Sequence, residues 1–251
     1  MRYFLELAYN GKNYFGYQIQ PNQISVQEVI EDRLSKILRK QLSIVGAGRT
    51  DSGVHAKKMY VHFDYDEFLT SELIQKLNSF LPKDIAVYRL YLMEDEAHAR
   101  FDAVSRSYNY FISPFKDPFS YESAWNFNRE LDLDKMNEAA KRLIKQGDFG
   151  SFAKLHTDVK TNICDVREAF WRKNENGQLV FQITADRFLR NMVRAIVGTL
   201  VEVGLGKISI PEFEDIIEQK YRGSAGASAP AQGLYLVDVQ YPKELFKNEL
   251  K

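Results

Sequence analysis

The sequence predicts an α+β fold of two similar subdomains, residues 1–104 and 105–251, that share a sheet, flank a cleft and together form one domain. Three observations carry this. Strand-like apolar runs alternate with amphipathic helical runs through both halves. The halves share that rhythm without repeating their sequence. A hydrophobic share of 45% beside 27% charged residues, over 251 positions, supplies enough apolar side chains for a sizeable core.

Residues 2–9 read as a strand closed by the turn pair Asn10-Gly11. Ser25-Val26-Gln27-Glu28 matches a capping box, in which the Ser oxygen accepts an amide hydrogen and the Glu reaches back. The helix that follows gathers Val26, Ile30, Leu34, Ile37 and Leu38 on one face, so its basic residues turn outward. Strands are expected at 42–47 and 59–63, a helix from Ser71 towards Phe80 ending before Pro82, and strands at 85–92 and 107–112. In the second half Asp132 or Asp134 caps a helix through Met136, Ala139, Ala140, Leu143 and Ile144, with Gly147 at its left-handed end. Residues 168–173 and 178–185 flank Asn174-Glu175-Asn176-Gly177, whose Asn-Gly pair signals a hairpin. A strongly apolar helix spans 192–203, and Pro211 opens another through Phe213, Ile216 and Ile217. Residues 234–239 return as a strand, after a segment at 223–228 that reads as a flexible loop.

Several function classes drop out. No apolar stretch reaches the ~18 residues of a membrane span, and the first six residues lack the apolar core of a signal peptide. The single Cys164 leaves no partner for an intramolecular disulfide, which fits a reducing cytoplasm. His55, His62, His98 and His156 stand at no metal-ligand spacing, so no metal is expected. The formal net charge of zero argues against nucleic acid, but the distribution argues back. Arg33, Lys36, Arg39, Lys40, Arg49, Lys57 and Lys58 face only Asp51 within their own segment, seven positive against one negative. Local basicity of that kind attracts phosphates, although Arg33, Lys36 and Lys40 also fit a solvated helix face.

The densest chemistry lies in Gly48-Arg49-Thr50-Asp51-Ser52-Gly53-Val54-His55-Ala56. An apolar run precedes it, so Asp51 falls on a turn at the end of an expected strand, between glycines and near a guanidinium. An aspartate in such a turn is ordinarily a turn-former; the length of the run points further. Three other segments are candidates. Arg106-Ser107-Tyr108-Asn109-Tyr110 puts Tyr108 and Tyr110 on one strand face, where a ring stacks on a nucleobase or packs in a core. In Arg187-Phe188-Leu189-Arg190-Asn191-Met192-Val193-Arg194, Arg190 and Arg194 share a helix face, and Arg194 inside an apolar run calls for a carboxylate or phosphate. Asp148-Phe149-Gly150-Ser151-Phe152 reads as a structural turn with two aromatic anchors.

Taken together these segments resemble the tRNA pseudouridine synthase A family. Its hallmark G-R-T-D-A-G-V-H-A is matched at eight of nine positions by residues 48–56, with Ser52 in place of Ala. Phe15-Gly16-Tyr17-Gln18-Ile19-Gln20 is similar to F-x-G-W-Q-x-Q, one residue shorter and with Tyr17 for Trp. His98-Ala99-Arg100-Phe101, the segments at 106–110, 148–152 and 188–194, and Ala229-Pro230-Ala231-Gln232-Gly233-Leu234-Tyr235-Leu236 resemble its further motifs in family order. Met59 and Ala97 depart from the pattern, where Gln and Phe are usual.

The resemblance implies the pseudouridine synthase fold, with a central mixed, mainly antiparallel sheet, helices on the outer face and an active cleft. It implies isomerisation of uridine to pseudouridine in the anticodon arm of tRNA, around positions 38–40, by a homodimer. By resemblance Asp51 is the catalytic carboxylate and Tyr108 stacks on the uracil. Arg49 assists flipping and fills the vacated stack, and Arg194 pairs with Asp51. The reaction needs an ionised carboxylate at neutral pH and no cofactor, metal, membrane or DNA. Attack of Asp51 at C1′, a glycal route and addition at uracil C6 all stay open. The alternative is a non-catalytic RNA-binding protein of the same fold, against which the presence of Asp51 with both arginines speaks.

Overall fold

The computed structural model describes residues 1–154 and 160–250, so His156 lies outside the described residues. Two compact units form. The first comprises residues 1–104 with 236–251 and the second residues 105–235.

The first unit opens with β1 (Arg2–Tyr9), whose residues are buried at nearly every position. It is a central strand, paired antiparallel with β3 (His55–Asp64) and β4 (Ile85–Met93). Tyr3 faces Phe63 and Leu92 across the two ladders, and Leu5 faces Val61 and Leu90. Helix α1 (Val26–Leu38) starts where Ser25 Oγ accepts the Glu28 amide hydrogen at 3.2 Å, and buries Val26, Ile30 and Leu34. Helix α2 (Glu72–Phe80) buries Leu73 and Leu77.

The strand expected at 42–47 shrinks to β2 (Val45–Gly46) beside β3. Side chains of α1 meet the backbone before it: Ser35 Oγ accepts from the Leu42 amide at 3.0 Å and Glu31 Oε1 from the Ile44 amide at 2.8 Å. Donors satisfied in that way have no need of a ladder.

In the second unit β5 (Ser105–Ser113) pairs antiparallel with β9 (Leu179–Ala185), which pairs with β8 (Ile163–Lys173), and β7 (Gln146–Asp148) closes that edge. The short β6 (Trp125–Asn126) runs parallel to β5, so the sheet is mixed and mainly antiparallel. Helix α3 (Leu133–Lys141) is capped by Asp132 and docks on β8, where Asn137 bonds both the amide and the carbonyl of Trp171. It ends six residues before Gly147, which lies instead in β7 opposite Cys164. The apolar residues Leu143 and Ile144 follow the helix without continuing it.

Helix α4 (Met192–Gly204) is buried at every position except Arg194 and Glu202. Helix α5 (Ile210–Gln219) carries a complete capping box between Ser209 and Glu212. The segment at 223–228, which reads as flexible, is pinned. Arg222 donates to the carbonyls of Ala225 and Gly226 and to Ser228 Oγ, and the Gly226 amide donates to Thr199 Oγ1 at 3.0 Å.

The chain then returns to the first unit. β10 (Leu234–Gln240) and β11 (Phe246–Leu250) follow, β11 pairing antiparallel with β4. Residues 236–250 therefore pack with the N-terminal unit, whereas the sequence division at 104/105 groups them with the C-terminal half. Their aromatic side chains explain it: Tyr241 and Phe246 pack edge-on against Phe4, Tyr60 and Tyr91. Among the described residues no helix is long and apolar enough to cross a membrane.

Candidate active site

Asp51 occupies the first position of a tight turn. Its carbonyl accepts the Val54 amide hydrogen at 3.1 Å, and Gly53 holds φ +76° between them. A positive φ at the third residue and not at the second is the pattern of a type II turn, which is why glycine stands there. Asp51 is half-buried and Arg49 exposed, so the turn presents both towards solvent from a buried base.

The base is built by residues 9–17. The Gly53 amide and Ser52 Oγ both donate to the Tyr14 carbonyl, at 3.2 and 3.3 Å. The Tyr17 amide donates to the Thr50 carbonyl at 3.4 Å, and the Tyr9 and Thr50 hydroxyls share a hydrogen bond of 2.9 Å. Gly16, at φ +88°, lies so close that a β-carbon there would stand 2.4 Å from the Thr50 carbonyl oxygen. His55 is buried, and its Nδ1 accepts the Gly11 amide hydrogen at 3.1 Å. Tyr14 Oη donates to Asp84 Oδ1 at 2.6 Å; burial, then that bond, raises the phenol above its ordinary range. Burial raises Tyr17 likewise; its ring packs against Gly46 and stacks on Tyr9.

Sequence reasoning missed Tyr9, Gly11 and Thr50 as parts of this base. Asn10-Gly11 gave only a turn signal, and closeness to Val54 is a tertiary fact. Gly16 did have a signal, its place in the quoted Phe15–Gly16–Tyr17 stretch, but no role.

In the second unit Tyr108 is half-buried on β5 and meets Phe188 edge-to-face at 5.1 Å. Tyr110, on the same face, is fully buried and donates to the Pro230 carbonyl at 2.8 Å. Burial raises its phenol, and the charge of Arg194 opposes that shift. Arg194 Nε donates to the Ala229 carbonyl at 2.7 Å, while the Ala229 amide returns a bond to the Arg194 carbonyl. The segments around 108, 188–194 and 229–233 are thus brought together within this unit. The segment 148–152 is structural: Phe149 and Phe152 are fully buried, and Ser151 Oγ donates to the Ile216 carbonyl. The same holds for 98–102 in the first unit, where His98 Nδ1 accepts the amides of Arg100 and Phe101.

The basic segment is less positive than its count. Lys36 and Arg33 pair with Asp32, Lys40 with Asp66, and Lys58 with Asp238 at 2.8 Å. Those carboxylates lie outside the residues first counted, and exposed pairs of this sort fit the solvated-face alternative for α1. Arg39, Arg49 and Lys57 are exposed. Among the described residues no three His, Cys, Asp or Glu side chains are placed to hold a metal ion.

Comparison with known proteins gives the family. The family described as tRNA pseudouridine synthase matches residues 7–102 and 139–242, which include Arg49, Asp51 and Arg194; Tyr108 lies between the two blocks. The tRNA pseudouridine synthase A of Parabacteroides distasonis is 54% identical over 250 residues, spanning 99% of both chains. That of Bacteroides fragilis is 52% identical over 98% of both, and that of Bacillus subtilis 40% identical over 96% of this chain and 99% of its own. Relatedness of that depth along the whole length, together with residues 48–56, leaves one conclusion: this chain belongs to the tRNA pseudouridine synthase family.

Proposed function

We propose that this chain isomerises uridine to pseudouridine in the anticodon arm of tRNA, around positions 38–40, with Asp51 as the reacting carboxylate. Isomerisation of a tRNA uridine is the activity its family membership carries. The assignment of Asp51 is supported chiefly by one observation: residues 48–56 set this carboxylate half-buried at the head of a turn whose base is bonded at several points. A group held so needs little reordering to meet its target.

The chemistry is conservative. The C1′–N1 bond of the target breaks, the uracil turns, C1′ bonds to C5, and the C5 proton leaves to solvent while N1 takes one up. Reaching C1′ requires extrusion of the nucleotide, which costs a few kcal/mol. Arg49, exposed beside Asp51, fills the vacated stack. Tyr108, braced by Phe188, stacks on the extruded uracil. Arg194 carries the charge that orients the carboxylate of Asp51. The chain works in the cytoplasm as a homodimer, which repeats the exposed cations of a protein with zero net charge along one tRNA.

Release of tritium from tRNA labelled at uridine C5 tests the proposal. The wild type releases label from uridines in the anticodon arm; Asp51→Asn binds the same tRNA and releases none. Undiminished release by Asp51→Asn overturns its assignment, and wild-type binding without release from any such tRNA restores the non-catalytic alternative.

A further inference from the structure

Residues 13–27 lead from the base of the Asp51 turn into a loop whose outer part the chemistry above does not use. Fifteen consecutive positions carry no charged side chain, in a chain of which 27% is charged. The middle of the run is nevertheless surface. Residues 18–24 are all exposed, and Phe15, Ile19 and Ile24 expose 48%, 42% and 60% of their area. Exposed loops of soluble proteins ordinarily carry charge, and grouped exposed apolar side chains mark contact sites.

The loop is shaped rather than slack. The Phe15 amide donates to the Ile24 carbonyl at 3.0 Å, Gln20 Nε2 to the Phe15 carbonyl at 2.9 Å, and the Ile19 amide to Gln27 Oε1 at 3.2 Å. Asn22 turns it at φ +60°. Its root is continuous with the Asp51 turn, since Tyr14, Gly16 and Tyr17 are the residues bonded or packed against Thr50, Ser52 and Gly53.

We propose that this loop is a nucleobase-binding rim of the active site, taking the bases that flank the target uridine in the tRNA strand. Phe15, Ile19 and Ile24 cover base faces, and the amides of Gln18, Asn22 and Gln23 meet base edges. The chemistry selects bases over phosphates: flat faces and neutral donor–acceptor edges match apolar and amide groups, whereas phosphates call for cations. Continuity with the Asp51 turn selects the substrate over another protein. The inference rests on Asp51 being the reacting carboxylate.

The test uses the full chain carrying Phe15→Ala, Ile19→Ala and Ile24→Ala, with an anticodon-arm tRNA transcript. Expected are a rise in Kd and KM of about tenfold or more, on the scale of one or two lost stacking contacts, and kcat little changed. The slope of log Kd against log salt stays that of the wild type, because no phosphate contact has been removed. Phe15→Ala alone gives a smaller rise of the same kind and serves if the triple variant does not fold. Unchanged Kd and KM overturn the rim, as does a fall in the mass of the free protein, which makes a second copy the occupant. A flattened salt slope overturns it too. Undiminished tritium release by Asp51→Asn overturns the reading of Asp51 instead, so the two failures are distinct.

Discussion

Gly11 shows how little freedom the base of the Asp51 turn has. A β-carbon there would lie 1.9 Å from the Val54 carbonyl oxygen, a backbone atom that cannot step aside alone. Gly11→Ala is therefore expected to lose about 1–3 kcal/mol of stability, the usual cost of overpacking, and to lower kcat by moving residues 50–54. Thermal unfolding and single-turnover tritium release measure the two effects; a variant with wild-type values of both removes the clamp from the argument. His55 acts from the other side of the same contact. Its Nδ1 accepts the Gly11 amide, so His55→Asn, whose Oδ1 replaces that acceptor, retains most activity. His55→Phe leaves a buried donor unmet at about 1–3 kcal/mol and loses it. Equal activity in the two variants denies the hydrogen bond its role. The sequence marked His55 through its motif, but not its partner, because 44 residues separate the two.

Two elements of the second unit allow stability and activity to be separated. Ser209 caps α5 and its box is closed by Glu212, so Ser209→Ala is expected to cost about 1 kcal/mol without changing kcat. Arg222 stands elsewhere in the network. It donates to Ser228 Oγ at 3.0 Å, which also accepts from Asn191 Nδ2 at 2.7 Å, and Asn191 is the left-handed residue that starts α4. Ala229, next along, exchanges two hydrogen bonds with Arg194. Arg222→Met is expected to lower kcat about tenfold or more with a modest fall in unfolding midpoint. The same loss of activity in Ser209→Ala shows that general destabilisation, not the path to Arg194, is responsible. Helix starts here were legible because Ser25, Asp132 and Pro211 act locally. The end of α3 was not, since Gly147 satisfies a turn pattern while its backbone pairs with β8.

At the scale of the molecule, alternating strands and helices gave the fold class, and residues 48–56 gave the candidate site. The placing of residues 236–250 stayed hidden, because β11 pairs with a strand more than 150 residues earlier and nothing local records that. Packing between residues distant in sequence also buries a titratable group that composition alone leaves ordinary. His62, on β3, stacks on Phe4 and accepts the Ala99 amide at Nδ1. Burial first, then the charge of Arg2 and of His98, press its pKa from 6.5 down to about 4, against weaker opposition from Asp64 and Asp102. His98 shifts the same way for the same leading reason. In the unfolded chain His62 takes a proton near its ordinary value, about 6.5, so the folded state binds fewer protons between that value and 4. Stability from the neutral imidazole is therefore complete above about pH 6.5 and declines as pH falls through the window, by at most about 1.4 kcal/mol per pH unit. Denaturant midpoints of the wild type are expected to fall steadily from pH 6.5 to 4.5. His62→Asn keeps an acceptor for Ala99 but no titrating ring, and its midpoints fall less over the same range. Parallel curves for the two proteins assign the acid sensitivity to other groups.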